Sequence, residues 1–414
     1  MRGEGLVAGA ASLVVTPQRP LPMAGFADRT GASQGVVDDL FVRALVVQDG
    51  AHASAVVVAD VIGLERETVT TAQVEIAART GIPARHVIVA ATHTHSGPAV
   101  MPHMAGGPVD SAYYEEFSRA LVATTVAACE HARPAMLRLG IGYEATVAKN
   151  RRVVGGLIDT DLPLIEVVAL SGEPIALVAS YACHPVVLGP HNRAFSADYP
   201  GVLRSTLERL YPGTLALFLT GCAGQINTGH RASESLATKT HWDPLRSYEE
   251  CERVGRLLAV AAAGARERAH PPGGRPLAGT DADSAVAVAS RPVSLSYYGS
   301  DCSSWTGEVT AFRWGSIALI GLPGEPFAEI GLVIKQLAGV AGVMVCGYSN
   351  GCPGYVPWAD AYAVGGYEVE EAHLYYGAPA CFAPEASGTL VEAALGALDD
   401  VTENEALMSG GARR

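Results

Sequence analysis

The sequence is poor in charge, in basic runs and in long apolar stretches, and each shortage removes a class of function. Charged residues make up 17%, and 42 acidic against 29 basic side chains leave a net charge of −13 with no basic block. A phosphate backbone finds no complementary surface there, which excludes nucleic acid as a partner. No apolar run reaches the roughly 20 residues of a membrane-spanning helix, so membrane insertion is not expected. Met1-Arg2-Gly3-Glu4-Gly5 also lacks the apolar core of a secretory leader, and a cytoplasmic location is expected. Eight cysteines are scattered without a CxxC pair, which speaks against a thiolate zinc site. They read as buried reduced thiols, with Cys346 and Cys352 close enough in sequence to leave a disulfide or local site open. No internal repeat stands out.

What is present is a globular, turn-rich composition: 49% hydrophobic, with 46 Gly and 25 Pro in 414 residues. Short β-branched runs alternate with helical patterns, which predicts an α/β fold of mixed β-sheets flanked by helices. Strands are expected at 44–48, 54–59, 86–91, 136–141, 164–169, 175–181, 214–220, 285–293, 308–312 and 317–322. The first two form an antiparallel hairpin around Asp49-Gly50. Helices are expected at 65–79, 111–131, 200–210, 248–269, 326–338 and 386–398. In the fourth, Val254, Leu257, Leu258 and Ala261 recur at helical spacing and turn one stripe to a core. Polar or Pro/Gly-rich loops fall at 227–248 and 266–283. The chemical residues lie on both sides of the second loop, so one composite catalytic domain over 1–400 is expected, with a flexible tail at 401–414.

The most informative stretch is Ala91-Thr92-His93-Thr94-His95-Ser96-Gly97-Pro98, at the end of the apolar run Val87–Ala90. On an extended strand residues i and i+2 share a face, so His93 and His95 would aim two imidazoles at one place, a donor pair suited to zinc. His184 precedes Pro185 at another strand exit, where an extended conformation is favoured. Glu325 sits in Leu322-Pro323-Gly324-Glu325-Pro326-Phe327, where a strand turns into a helix. It is either an anionic ligand or a carboxylate stabilising the helix dipole. Gly221-Cys222-Ala223-Gly224 opens a loop whose amides could face an oxyanion or merely serve a tight turn. Tyr355, Tyr362 and Tyr367 lie in a Gly- and Pro-rich segment.

The ordered segments THTHSGP, ACHP, SADYPG, LPGEPF and GYVPW, together with Met23-Ala24-Gly25-Phe26 and Asp39–Leu45, resemble the catalytic domain of the neutral ceramidases, zinc-dependent amidases. The likeness runs from about Gly9 to Tyr376. It implies one zinc ion held by His93, His184, Glu325 and Tyr355, with His95 and Tyr367 close by in proton transfer and oxyanion stabilisation. Arg151 or Arg152, Asp198 and Gly224 are its candidate substrate-binding positions. Two departures stand out. A serine that the family proposes to act with the metal aligns with Asn227, which could donate a hydrogen bond to a substrate carbonyl but cannot be a nucleophile. The family's long C-terminal β-rich domain and secretion signal are also missing, which points away from a membrane lipid.

The expected activity is hydrolysis of an amide or ester in a small soluble acylated substrate by metal-activated water. The same electrophile activation would serve acyl transfer or cyclisation to an amide or lactam. Cys222 with His184 or His230 as base is a further alternative, and a non-catalytic metal-stabilised binding protein another. A homo-oligomer is compatible with all of them.

Overall fold

The computed structural model describes residues 5–27, 29–104, 107–232, 245–270, 278–280, 285–299 and 303–410. Most of the loops expected at 227–248 and 266–283 therefore lie outside the described residues, as do 411–414. The large sheet is built twice by the same sequence of elements. The first half comprises strands β1 (Val7–Val14), β2 (Phe41–Gln48) and β3 (Ala53–Ala59), helix α1 (Arg66–Thr80), strand β4 (Val87–Ala91) and helix α2 (Ser111–Glu130). The second comprises β5 (Arg133–Tyr143), β6 (Asp161–Ala169), β7 (Pro174–Tyr181), α3 (Tyr199–Leu210), β8 (Leu215–Thr220) and α4 (Tyr248–Arg268).

The spatial order is β8-β7-β6-β5-β1-β2-β3-β4, so the halves join back to back. At that joint only Val7 and Ala8 pair with Pro134 and Arg133. Parallel pairing within this order is confined to the outer pairs β3/β4 and β7/β8, each made by a helical crossover. The repeat that the sequence hides is thus a repeat of topology. One trace of it is residue-specific: a Cβ on Gly9 of β1 would meet the Ala128 carbonyl of α2 at 2.2 Å, and one on Gly140 of β5 the Ala265 carbonyl of α4 at 1.9 Å. In both halves a helix lies directly on the backbone of its first strand, which only glycine permits.

Four layers result. Helices α1 to α4 cover one face of the large sheet through residues such as Ile76, Phe117, Leu203 and Leu258. In α4 the buried stripe centres on Val254, Leu258 and Ala262, with Leu257 and Ala261 half-buried at its edge. The other face, including Leu45, Val58, Ile165 and Val178, packs on a second sheet. That sheet runs β9 (Val286–Ser296), β10 (Ser304–Trp314), β11 (Ile317–Gly321) and β12 (Val343–Cys346). Its far face is closed by α5 (Ala328–Leu337) and α6 (Ala386–Gly410) through Ile330, Ile334, Leu390 and Ala394. Helix α6 continues through the expected start of the tail and buries Val401. Among the described residues no helix is long and apolar enough to cross a membrane. Cys346 and Cys352 are free thiols rather than a disulfide.

The halves are locked by a fully buried ion pair. Asp60, just past β3, takes Arg204 of α3 in a two-pronged contact of 2.8 and 2.6 Å. It also accepts from the Phe41 amide at 2.8 Å and the Thr92 hydroxyl at 3.1 Å. Removing one partner strands the other charge in the core, so Arg204→Met should cost about 3–5 kcal/mol of stability. Urea unfolding checks this, and an unchanged midpoint with an unchanged slope would contradict it.

Candidate metal centre

The site lies past the carboxyl ends of both parallel pairs, where the outer edges of the sheet meet. The Thr220 hydroxyl, ending β8, donates to the Thr92 carbonyl beyond β4 at 2.7 Å. The second sheet feeds residues 347–350 into the same seam: the Ala91 amide donates to the Tyr348 carbonyl at 3.1 Å and the Asn350 amide to Val89 at 2.8 Å.

His93 and His95 do not project from an extended strand. Strand β4 stops at Ala91, and His93 has a left-handed backbone with φ 66°. The turn sets the two rings edge to face, 4.8 Å between centroids. Each imidazole is oriented by a main-chain carbonyl, and a carbonyl can only accept, so each Nδ1 carries the proton. His93 Nδ1 donates to Ile62, His95 Nδ1 to Gly25 at 2.9 Å, and His184 Nδ1 to Ala223 at 2.7 Å and Ile226 at 3.0 Å. Three bare Nε2 atoms are left facing inward. Those of His93 and His95 are 3.2 Å apart, and ligand nitrogens of all three rings lie within 4.8 Å of one another.

Glu325 brings a fourth acceptor. Its Oε2 lies 2.9 Å from His184 Nε2 and 3.3 Å from His93 Nε2. Helix α5 has Phe327 as its N-cap, so Glu325 stands before the helix, and the acid in the first turn is Glu329. The dipole explanation of Glu325 therefore falls away. Glu325–Pro326 instead pair in parallel with Tyr355–Val356, which places the Tyr355 hydroxyl 3.4 Å from His184 Nε2. Tyr376 donates to Glu325 Oε1, and Tyr348 to Oε2 at 3.4 Å.

Electrostatics sharpen the arrangement. Burial pulls His184 down to about 4 and His95 well below the ordinary imidazole value, so neither holds a second proton at neutral pH. Burial pushes the Glu325 carboxyl up, and positive charge on the facing His93–His184 side pulls it down further, so the group stays ionised only with a cation there, a proton or a metal ion. A buried knot of acceptors without protons between them is repulsive unless a cation sits among them. The donor set of imidazole nitrogens, a carboxylate and a phenol fits a borderline-soft divalent ion.

The remaining sequence candidates have other partners. Asn227 is fully buried and spends its side chain on its own loop, donating to His230 at 2.6 Å and accepting from the Gly229 and His230 amides. It makes no contact with the cluster. Gly224 is a packing glycine: a Cβ there would meet the Glu325 carbonyl at 2.6 Å. The amides of Gly221, Gly224 and Ile226 are spent on Tyr181, Pro326 and Ala223, so they offer no oxyanion hole. Asp198 caps α3 and accepts from the Leu188 amide, a buried brace behind the site whose pKa burial raises to about 6. Cys222 lies in the core under Gly331 of α5, where burial pushes its thiol up, and no imidazole activates it. Arg151 and Arg152 both grip Glu368, at 2.8 and 2.6 Å, and Arg151 also donates to the Tyr355 hydroxyl at 3.1 Å. They form a pedestal for Tyr355 and Tyr367, whose rings are 5.8 Å apart. Tyr367, Arg151 and Arg152 border a cleft of about 410 Å³.

Comparison with known proteins fits this geometry. A family model described as neutral/alkaline non-lysosomal ceramidase, N-terminal, matches residues 9–229. The chain belongs to that family. Among solved structures, neutral ceramidase from Pseudomonas aeruginosa is similar with a TM-score of 0.77 at 16% identity, over 97% of this chain and 75% of that one. A ceramidase complexed with C2 gives the same TM-score and identity, over 97% of this chain and 76% of that one. These likenesses carry the fold of this ceramidase-family chain. Its site also holds residues that sequence reasoning passed over: Tyr348 and Tyr376 on the carboxylate, and Ile62, Gly25 and Ala223 as the orienting carbonyls.

Burial already keeps His184 neutral down to about pH 4, so protons compete poorly with a cation there. Retention of a divalent metal should stay level from pH 8 to about 5, whereas exposed imidazoles would start to release it near 6.5. Equilibrium dialysis with elemental analysis reads this, and a midpoint of release near 6.5 would contradict it.

Proposed function

We propose that the protein is a metal-dependent amidohydrolase acting on the amide, or ester, of a small acylated substrate, with a single zinc ion at His93, His184, Glu325 and Tyr355. The observation that carries this reading is the convergence of three Nε2 atoms and one carboxylate oxygen in one place. Membership of the ceramidase family supports the amide bond as the target. A divalent ion bound there would supply Lewis acidity, lowering the pKa of a water and polarising a carbonyl.

The chain's own residues supply the rest. Ile62, Gly25 and Ala223 fix the three rings in one tautomer, so binding needs no reorganisation. His95 is the half-exposed member of the trio, while His93 and His184 are buried. Its Nε2 therefore meets substrate first and exchanges a proton with the leaving group. Arg151 steadies Tyr355 as a ligand, and the half-buried Tyr367 offers its phenolic hydrogen to a carbonyl oxygen gaining charge. A closed structural zinc site would leave no such open side.

His93→Ala and His184→Ala should each lose metal and activity together. His95→Ala should keep the metal and lose roughly 10²–10⁴-fold in kcat. Metal content by elemental analysis beside turnover of an acylated-amine panel reads both. A fully active metal-free His184→Ala protein ends the proposal, and loss of metal from His95→Ala would make His95 a ligand instead. Tyr376→Phe, which frees Glu325 Oε1, should weaken metal affinity by roughly 10–100-fold.

A further inference from the structure

A group of arginines stands one aromatic layer from the imidazole cluster and takes no part in the chemistry above. The Phe26 ring lies 5.1 Å from that of His95 and is flanked by two guanidinium groups, Arg29 at 4.7 Å and Arg246 at 5.7 Å from its centroid. Arg29 is 5% exposed and donates only to carbonyls: His95 at 2.7 Å, Ala24 at 3.2 Å and Gly189 at 3.5 Å. Its Nε is buried without a partner, and so is that of the half-buried Arg193, whose guanidinium donates to the Ala32 carbonyl at 2.9 Å. Among the described residues no carboxylate pairs with Arg29 or Arg193. Arg193 and Arg246 both act on Arg29 as like charges, and Asp198 lies near enough to Arg246 to offset part of its charge.

Setting the guanidinium groups of Arg29 and Arg193 beside one another with no carboxylate on either among the described residues costs stability, and such an arrangement persists where something else is gained. The surplus of positive charge is local in a chain whose net charge is −13. We infer that Arg29 and Arg193, assisted by Arg246, form the recognition site for an anionic group on the acylated substrate, a carboxylate or its isosteric oxyanion, seated beside His95. This rests on the hydrolase reading and narrows its substrate class to acylated amines or alcohols that carry a negative charge. The three carbonyl contacts of Arg29 hold its guanidinium in place before substrate arrives, and Arg193 is the member open to solvent.

The test compares N-acetylglycine with N-acetylglycinamide, which differ only in the charge, on the metal-loaded protein. Charge-assisted hydrogen bonds to two arginines predict a roughly 10- to 100-fold preference for the carboxylate, expressed in KM rather than kcat. Arg193→Gln should bring the ratio close to one while leaving metal content and neutral-substrate turnover unchanged, and Arg29→Lys should keep part of it. Hydrolysis of both at equal kcat/KM would overturn the anion site while leaving the hydrolase reading intact. If neither probe is turned over, calorimetric binding of the two decides: carboxylate preference lost in Arg193→Gln supports the site, and equal binding or none overturns it.

Discussion

Three clustered imidazoles whose Nδ1 atoms are fastened to main-chain carbonyls turn their Nε2 atoms toward one another, and the surrounding structure follows from that constraint. The carbonyls belong to separate segments: Ile62 after β3, Gly25 in the N-terminal loop, and Ala223 and Ile226 after β8. Each must be held to a few tenths of an ångström, so the backbone around them is not free to relax. The positive-φ non-glycine residues among those described are His93, Asp198, Tyr348 and Asn350, all in the loops that form or brace this place. Left-handed backbone of this kind costs about 1–3 kcal/mol per residue and persists only where neighbours over-determine it. Here the seam between Val89–Ala91 and Tyr348–Asn350, and the Asp60 knot with Thr92 and Arg204, supply that determination.

The duplicated topology explains why the donors arrive where they do. Ligand sites in sheets with parallel strands open at carboxyl ends, and this sheet has such an end at each outer edge. One alone would offer His93 and His95; the other alone would offer His184. They become one site because the two edges meet at Thr92 and Thr220, and because the second sheet inserts Glu325 and Tyr348 between them. The carboxylate thus comes from a different layer than the imidazoles, which makes the four-layer packing a condition of the site.

The fold class was legible because its strands and helices carry their periods plainly, and the hairpin at Asp49-Gly50 appears with Gln48 opposite Ala53. His93, His95, His184 and Glu325 stood out in the sequence as donor types where strands end, and the structure brings them together; Tyr355 was named only through the family resemblance. What the sequence could not reveal is what depends on contact across distance. Asn227, Gly224 and Asp198 share loops with the site, yet packing turns each to another partner, while Arg151 reaches it through the Tyr355 hydroxyl and Glu368. Nothing in local pattern separates an arginine that binds substrate from one that grips Glu368. Tyr376 escaped notice for the converse reason: it sits in the short turn helix Ala372–Tyr376, far in sequence from the carboxylate it meets. The repeat was invisible because topology, not side chains, is what recurs, apart from Gly9 and Gly140.

The Gly-rich loop after β8 decides which kind of acyl chemistry the chain can support. In that loop the only thiol, Cys222, is turned into the core, and Asn227 is consumed in holding the turn to His230. The Ala223 and Ile226 carbonyls accept from His184, and the Gly221, Gly224 and Ile226 amides donate to backbone carbonyls. A loop so occupied positions an imidazole, and neither Cys222 nor Asn227 is placed to form a covalent acyl intermediate. On the proposed hydrolase reading the nucleophile would come from solvent or from the substrate, and His95, the least buried of the three imidazoles, marks the side by which it would reach the cluster. Phe26 and its flanking arginines stand next to His95, so on the proposed reading that side would confront a substrate with positive charge. On the proposed reading, attack and selection would be coupled in one geometry, because the inferred anchoring group lies on the His95 side of the cluster.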